Sequence, residues 1–255
     1  MIPTKRRQLI LEYIQERDIV EIDEISKKFN ISVPTVHRDL IQLEDEGFLR
    51  KVRGGATSQT SKIYETSYLN RSRLFPEEKK SIAKYALRFI ENDMSMMLDN
   101  STTVLSLARM LGGFHGLTVI TYFQGIIHEL SRPGYQISLV STGGELNRTH
   151  LSLVGPIVEA TLKDMHVRIA FISTSAVNPT LGIMHPYSDE CRRKQLIIQA
   201  AEEVILLVDH SKFENTALNI VAPLSKIKRI ITDRPLDSES TELIASQGVE
   251  LHIAE

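Results

Sequence analysis

The sequence ISVPTVHRDLIQLEDEGFLRKVRGGA, residues 31–56, is the most informative stretch of the first part of the chain. Its apolar residues Val36, Leu40 and Leu43 recur at spacings of four and three, which places them on one face of a helix. At about 100° per residue, Arg38 points directly away from that face. The stretch therefore predicts a helix with a buried seam and an opposite, exposed ridge.

Two more helices are predicted before this one, and a basic strand with a glycine pair after it. Apolar residues at helical spacing predict a first helix from about Lys5 to Glu16 and a second from about Ile22 to Phe29. After a tight turn, Ser32 is suited to cap the third helix. The segment FLRKVRGGA, residues 48–56, predicts a short strand and a wing. This order of elements is that of a mainly α-helical winged helix-turn-helix domain.

Such a domain lays its third helix in the major groove of duplex DNA, and its wing contacts the backbone or the minor groove. The predicted DNA contacts are the ridge of the third helix and the cations of the first helix and the wing: Lys5, Arg6, Arg7, Ser32, Thr35, His37, Arg38, Gln42, Arg50, Lys51 and Arg53. Residues 1–57 hold ten Lys or Arg and ten Asp or Glu, so this prediction depends on where the cations lie. On this pattern alone, a winged module that binds protein is the alternative.

The composition is that of a globular protein with about two domains. The chain has 255 residues and a formal net charge of −2, so its overall charge gives no sign of a nucleic-acid partner. The single cysteine, Cys191, cannot form an internal disulfide. Acidic side chains interrupt the apolar N-terminal residues, which is not typical of a signal peptide, and no run of about 18 apolar residues could span a membrane. We therefore expect a soluble cytoplasmic protein.

The pattern changes again after the predicted wing. Residues 58–75 are rich in Ser and Thr, and we interpret them as a linker with room for one short ordered piece. Seven short apolar runs follow, most of them separated by enough residues for a helix: Met94–Leu98, Leu117–Thr121, Gln136–Ser141, Val167–Ser173, Glu203–Asp209, Arg229–Asp233 and Glu250–Ile253. The predicted class is α/β, with the winged domain at 1–57, the linker at 58–75 and a Rossmann-like domain with a mainly parallel sheet at 76–255.

Polar residues near the ends of these strands form a candidate ligand site, because ligands bind at the carboxyl edge of such sheets. Residues 99–103 stand where a strand ends and a helix begins, so their N–H groups and hydroxyls suit a phosphate. The candidate ligand residues lie in this segment, near the ends of later strands, in a glycine pair and on a predicted helix: Asp99, Asn100, Ser101, Thr102, Thr103, Thr121, Gly143, Gly144, Glu190, Lys194, Asp209 and Lys212.

Each of these features also has an ordinary structural explanation. A hydroxyl-rich helix start is typical of capping, and the pair Gly143-Gly144 is typical of a turn. Glu190 and Lys194 lie four residues apart, as in an exposed helix ion pair worth roughly 0.3 kcal/mol. We interpret His185 as a surface or loop residue rather than a metal ligand. Because no His, Cys or Asp cluster has ligand spacing, no metal site is predicted.

The stretch at 31–56 resembles the N-terminal signature of DeoR-type bacterial transcription regulators. The positions that correspond to this signature are His37-Arg38-Asp39-Leu40, Leu43-Glu44 and Arg53-Gly54-Gly55-Ala56. The resemblance continues in order through Glu65, Arg71, Glu78-Lys79, Ile82-Ala83, LDNSTTVLSLA (98–108), STGGELN (141–147), Gly155-Pro156, AFIS (170–173), Glu190 with Lys194, VDHSKF (208–213) and ITD (231–233). It implies DNA binding, a sensor domain similar to ribose-5-phosphate isomerases, and a phosphorylated sugar as effector rather than a cofactor.

Four residues, in three places, depart from the family's pattern. His37 stands where arginine is usual, so we expect the DNA contact there to be weaker or pH-sensitive. Asn100-Ser101 stands where Ser-Gly is usual, and Tyr122 stands where asparagine is usual. A side chain at residue 101 restricts the backbone and crowds a phosphate. These differences predict an altered ligand or altered binding.

The resemblance implies a repressor of a carbohydrate uptake or catabolism operon. Paired heads of a homo-oligomer, a dimer or a tetramer, would read repeated or palindromic half-sites, and no membrane partner is expected. One alternative keeps the regulator but gives it a non-sugar phosphometabolite as effector. The other is an active sugar-phosphate isomerase that uses carboxylates and lysines of the candidate site as acid–base groups.

Overall fold

The computed structural model describes residues 3–15, 17, 19–45, 49–52, 54–58 and 68–254. The chain forms two compact units, Met1–Arg73 and Leu74–Glu255. None of the described helices is both long enough and apolar enough to cross a membrane.

The first unit is a small helical head with a three-stranded antiparallel sheet. Its elements are α1 (Pro3–Gln15), β1 (Val20–Glu21), α2 (Ile22–Phe29), α3 (Val33–Asp45), β2 (Leu49–Val52), β3 (Gly55–Ser58) and α4 (Tyr68–Arg73). The sheet has the order β1-β3-β2. The seam of Val36, Leu40 and Leu43 is buried in the core of this unit, as predicted. The expected winged helix-turn-helix is confirmed, and α4 falls in the segment interpreted as a linker.

The two glycines of the wing have different roles. Gly54 lies between β2 and β3 and has a φ of +83°, a left-handed conformation that glycine adopts without strain. Gly55 begins β3 and pairs with Glu21 of β1. A Cβ atom at residue 55 would lie 2.3 Å from the carbonyl oxygen of Val20. A residue without a side chain is therefore required where the wing meets β1.

The second unit is built on a large sheet. Its helices are α5 (Pro76–Ala86), α6 (Thr102–Ala108), α7 (Gln124–Leu130), α8 (Pro156–Lys163), α9 (Ser188–Ala200) and α10 (Ser238–Ser246). Its strands are β4 (Ser95–Leu98), β5 (His115–Thr121), β6 (Gln136–Ser141), β7 (Glu145–Asn147), β8 (Ser152–Val154), β9 (Val167–Ile172), β10 (Ala176–Asn178), β11 (Gly182–His185), β12 (Ala201–Leu207), β13 (Asn219–Ala222), β14 (Arg229–Thr232) and β15 (Glu250–Ile253).

Seven of these strands form one parallel sheet in the order β15-β14-β12-β9-β4-β5-β6. They are the seven apolar runs of the sequence, so the predicted parallel α/β architecture is confirmed. Two smaller antiparallel sheets, β7-β8 and β10-β11-β13, were not predicted. Their strands have three or four residues each, too few to show an alternating pattern.

The strand order places a topological switch point between β4 and β9. From β4 the chain moves outward through β5 to β6, and from β9 it moves in the other direction through β12 and β14 to β15. The connections after β4 and β9 therefore diverge, which leaves a crevice at the carboxyl ends of these two strands.

Candidate functional site

Helix α3 presents a polar ridge on the side opposite its buried seam. His37, Arg38 and Gln42 are exposed, and Thr35 is half-buried. Ser32 immediately precedes the helix, and its carbonyl accepts from the N–H of Val36 at 3.0 Å. The hydroxyls of Ser32 and Thr35 lie 2.8 Å apart. The predicted recognition ridge thus has the exposure that contact with a DNA groove requires.

The cations of α1 contact α3 directly. Arg6 donates to both carboxylate oxygens of Asp39, at 2.6 and 3.0 Å, and Asp39 is buried. The hydrogen bond to Asp39 raises the pKa of Arg6. Arg7 donates to the amide oxygen of Gln42. Arg6 therefore holds α1 against the recognition helix, a positioning role that sequence reasoning missed because the two residues are 33 positions apart.

A hydrogen bond joins the wing to the side chain of a residue on the recognition helix. The N–H of Lys51 in β2 donates to Glu44 of α3 at 2.7 Å. Lys5 on α1 is exposed, and Lys51 is half-buried. The side chain of Arg50 and all of Arg53 lie outside the described residues, so their predicted DNA contacts stay predictions.

In the second unit, Asp99 joins the two strands of the switch point. It follows β4, and its Oδ2 accepts from the N–H of Ser173, which follows β9, at 2.8 Å. The same oxygen accepts from Nζ of Lys194 at 2.6 Å, and Oδ1 accepts from the N–H of Ser101 at 3.0 Å. Asp99 and Lys194 are buried, so this ion pair is shielded from water.

A second buried ion pair, between Glu190 and Arg193, lies within α9. The hydroxyl of Tyr122 donates to Glu190 Oε1 at 2.8 Å. That hydroxyl also lies 3.2 Å from Oδ1 of Asn100. We call these side chains the buried polar cluster: Asp99, Asn100, Tyr122, Glu190, Arg193 and Lys194. It lies at the carboxyl edge of the sheet.

Burial raises the pKa of the Tyr122 phenol well above its ordinary range, and the negative charges of Glu190 and Asp99 add to the effect. Tyr122 is therefore a neutral hydrogen-bond donor. The guanidinium carbon of Arg193 lies 5.7 Å from the centre of the Tyr122 ring. Glu190 and Lys194, whose spacing suggested a pair, each have another partner of opposite charge: Arg193 for Glu190 and Asp99 for Lys194.

Two of the predicted ligand hydroxyls bond to the backbone. Ser101 caps α6, since its Oγ accepts from the N–H of Val104 at 3.0 Å. Thr121 donates to the carbonyl of Leu98 at 2.7 Å and accepts from the N–H of Phe123 at 3.1 Å. The Ser101 contact matches the capping explanation that the sequence left open. Thr102 and Thr103 are buried at the start of α6.

The remaining candidate residues lie on two loops. Gly143 and Gly144 are exposed, with φ angles of +70° and +109°. Asp209 follows β12 and is buried; its Oδ1 accepts from the N–H of Ser211 at 3.2 Å. Among the described residues, its Oδ2 has no hydrogen-bond partner, and Nζ of Lys212 is 4.0 Å away. The side chain of Lys212 is 27% exposed, so it is the accessible cation of this loop.

Sequence reasoning missed His210, which links this loop to the start of the second unit. Its N–H and Nδ1 are each 2.7 Å from a carboxylate oxygen of Asp233. Its ring meets that of Phe75 edge-on, with centres 5.0 Å apart. Phe75 immediately precedes α5 and has a left-handed backbone, with φ +50°. His210 and Asp233 lie in two of the stretches that resemble the family, VDHSKF and ITD, but the sequence does not show that they meet, because they are 23 positions apart.

The interpretation of His185 as a surface or loop residue is wrong. It is buried at the end of β11, and its Nδ1 accepts from the N–H of Tyr187 at 3.3 Å. Over the part of the chain that the structure describes, no three His, Cys, Asp or Glu residues lie close enough to hold a metal ion.

Two family models match most of the chain. The "DeoR-like helix-turn-helix domain" matches residues 6–62, and the "DeoR C terminal sensor domain" matches residues 75–234. The HTH-type transcriptional regulator IolR of Bacillus subtilis is 34% identical over 249 residues, 98% of each chain. The HTH-type transcriptional repressor GlcR of the same species is 32% identical over 256 residues, 100% of this chain and 98% of that protein.

Among solved structures, a D-ribose-5-phosphate isomerase in complex with phospho-erythronic acid covers 54% of each chain at 21% identity, with a TM-score of 0.40. At this score the likeness says nothing about ligand or activity.

Proposed function

Because the chain belongs to the DeoR family of HTH-type transcriptional regulators, we propose that it represses a carbohydrate uptake or catabolism operon under the control of a phosphorylated sugar. The observation that carries the proposal is the exposed ridge of α3, where Arg38 stands opposite the buried seam. The printed name of GlcR supports repression. The chain matches 98–99% of the length of relatives that are named as transcriptional regulators, so we set the isomerase hypothesis aside.

The choice of a phosphorylated sugar is supported by the chemistry at the switch point. Amide, phenol, carboxylate and ammonium groups meet there, and such groups recognise hydroxyls through paired donors and acceptors. Lys212, on the loop after β12, is a partly exposed cation that suits a phosphate. We propose that the protein acts in the cytoplasm as a homo-oligomer whose paired heads bind two half-sites.

The DNA-binding part is tested with Arg38→Ala and with a charge-matched control, Lys226→Ala, an exposed lysine of the second unit. Affinity for DNA from the chain's own promoter region is measured by fluorescence anisotropy over a series of salt concentrations. If Arg38 contacts a base, its loss costs about 1–3 kcal/mol, at least about fivefold in affinity. The control is expected to bind as the wild type does. Unchanged affinity of Arg38→Ala would contradict the proposed groove contact.

A further inference from the structure

We propose that the free edge of β13 is the surface through which two copies of this chain pair. The inference rests on the proposed homo-oligomer and names the face that forms it. Along this edge the apolar side chains face outward and the polar ones inward, which is the reverse of the ordinary pattern.

The segment that leads into β13 alternates between exposed and half-buried residues from 214 to 220, the period of an extended chain. Leu218 is 75% exposed and Ile220 is 49% exposed. Thr216 is exposed on the same side, and we call Thr216, Leu218 and Ile220 the outward row. The half-buried positions between them are small or polar: Asn215, Ala217 and Asn219.

The inward asparagines hold this arrangement in place. Nδ2 of Asn219 donates to the carbonyl oxygens of His185 and Pro186, at 3.3 and 2.8 Å. Nδ2 of Asn215 donates to the carbonyl oxygen of Ser211 at 2.6 Å. A shift of one residue would exchange the two sides of the chain and break these bonds. The fold therefore keeps the outward row exposed.

An edge of the large sheet, β6, shows the ordinary pattern instead. Its exposed side chains are Gln136, Ser138 and Ser141, whereas its apolar side chains are half-buried. Proteins commonly protect a free edge strand with charged side chains or proline. Residues 215–222 contain neither, and no described strand pairs with the second side of β13. This edge is thus open to an additional strand.

A turn beside β13 enlarges the apolar surface. A Cβ atom at Gly182 would lie 2.1 Å from the carbonyl oxygen of Ala222, so the turn between β10 and β11 lies against the end of β13. Leu181, in this turn, is 47% exposed. Exposed apolar side chains that are grouped in this way mark interaction sites, because association removes them from water.

A second copy of the chain fits this edge because the outward row can pair with itself. A two-fold axis brings the same patch of both chains together. With Asn219 opposite Asn219 of the partner subunit in an antiparallel pair, Leu218 lies opposite Ile220 of the partner subunit, with their Cβ atoms about 5 Å apart. The axis repeats this apolar contact on its other side, so both exposed residues of both chains are covered.

The test measures the assembly of the full chain by sedimentation velocity over a range of protein concentrations. Leu218→Glu combined with Ile220→Glu places like charges opposite each other in the proposed contact. We expect its dissociation constant to rise at least about tenfold, a difference of about 1.4 kcal/mol. A dimer would then become a monomer, and a tetramer would become a dimer. The matched control is Ile157→Glu combined with Leu146→Glu, at two other exposed apolar residues, and is expected to assemble as the wild type does.

A mixing experiment separates loss of the contact from loss of the fold. Leu218→Lys combined with Ile220→Lys is expected to dissociate on its own, as the glutamate variant does. An equal mixture of the two variants is expected to assemble again, because glutamate then lies opposite lysine. Circular dichroism of each variant alone checks that both are folded.

The proposal is overturned if the glutamate variant assembles as the wild type does; the homo-oligomer then stands and uses another surface. It is also overturned if the folded glutamate and lysine variants do not assemble when mixed. A wild type that remains monomeric overturns both this proposal and the homo-oligomer, and the outward row is then left for a different protein partner. DNA affinity of the same preparations reports separately on the DNA-binding function.

Discussion

At the scale of single residues, Asp99 and Lys194 depend on each other because both are buried. Asp99 also accepts from the N–H groups of Ser101 and Ser173, so the carboxylate is well satisfied as long as the ammonium is present. Breaking a buried ion pair by removing one partner leaves an uncompensated charge and typically costs about 3–5 kcal/mol. Replacing both partners by neutral groups costs less.

We therefore expect Lys194→Met to lower the free energy of unfolding of the second unit by about 3–5 kcal/mol. The double variant Asp99→Asn with Lys194→Met is expected to recover part of that loss, since no buried charge is left alone. Urea unfolding followed by circular dichroism measures both, and Lys226→Met, at an exposed site, is the control. A double variant no more stable than Lys194→Met would contradict the assigned ion pair.

The same two residues also show which features of the candidate site can be predicted from the sequence. Asp99 and Lys194 were both candidate site residues, and the structure brings them together. Their pairing could not be predicted, because it joins residues 95 positions apart, whereas helix spacing reports only neighbours on one helix. Arg193 was missed for a related reason: a cation next to Lys194 looks like an ordinary helix residue until the fold buries it.

At the scale of elements, long apolar runs predicted the structure well. The interior strands of a parallel sheet are covered on both faces, so Val167–Ile172 is almost continuously apolar and is recognisable as a strand. The strand β1 has two residues and carries no such pattern. It nevertheless completes the sheet of the head, because Gly55 allows the wing to approach it closely.

Gly55→Ala is expected to destabilise the head, since the new Cβ would lie 2.3 Å from the carbonyl oxygen of Val20. Relieving such an overlap typically costs about 1–3 kcal/mol, and a displaced wing should weaken DNA binding. The matched control is Gly113→Ala, where an added Cβ meets nothing within 4 Å. Thermal unfolding and DNA anisotropy measure the two effects. If Gly55→Ala and Gly113→Ala have the same melting temperature and the same DNA affinity, the close approach of residue 55 to β1 is not required for the stability of the head or for DNA binding.

At the scale of the whole molecule, the second unit is tied together where its chain begins. Phe75 keeps a left-handed backbone, and its ring packs on His210 in the loop that carries Asp209 and Lys212. Nζ of Lys79 donates to the carbonyl of Leu74 at 2.6 Å. The segment that follows the head is thus fixed to a loop of the candidate sensor site.

A double-mutant cycle of Phe75→Leu and His210→Ala measures this attachment. Leucine also has a side chain, so the strain of the left-handed backbone at residue 75 is unchanged and only the aromatic ring is lost. The cycle therefore isolates the ring contact. We expect a coupling energy of about 0.5–1.5 kcal/mol in urea unfolding. Ser246→Ala on α10, combined with Phe75→Leu, provides a control pair, for which additive effects are expected. A cycle with zero coupling would show that the ring contact contributes nothing to stability.

The switch point between β4 and β9 also has a consequence in time. The bond from Ser173 to Asp99 spans 74 residues, and the bond from Lys194 spans 95. A ribosome must therefore have passed residue 173 before the first bond can form and residue 194 before the second, whereas the contacts of the head lie within the first 73 residues. Domains generally fold as units during synthesis, the N-terminal one first. We expect each newly made chain to have a folded head before it has a sensor, so that for part of its synthesis it has a DNA-binding surface that no effector can yet control.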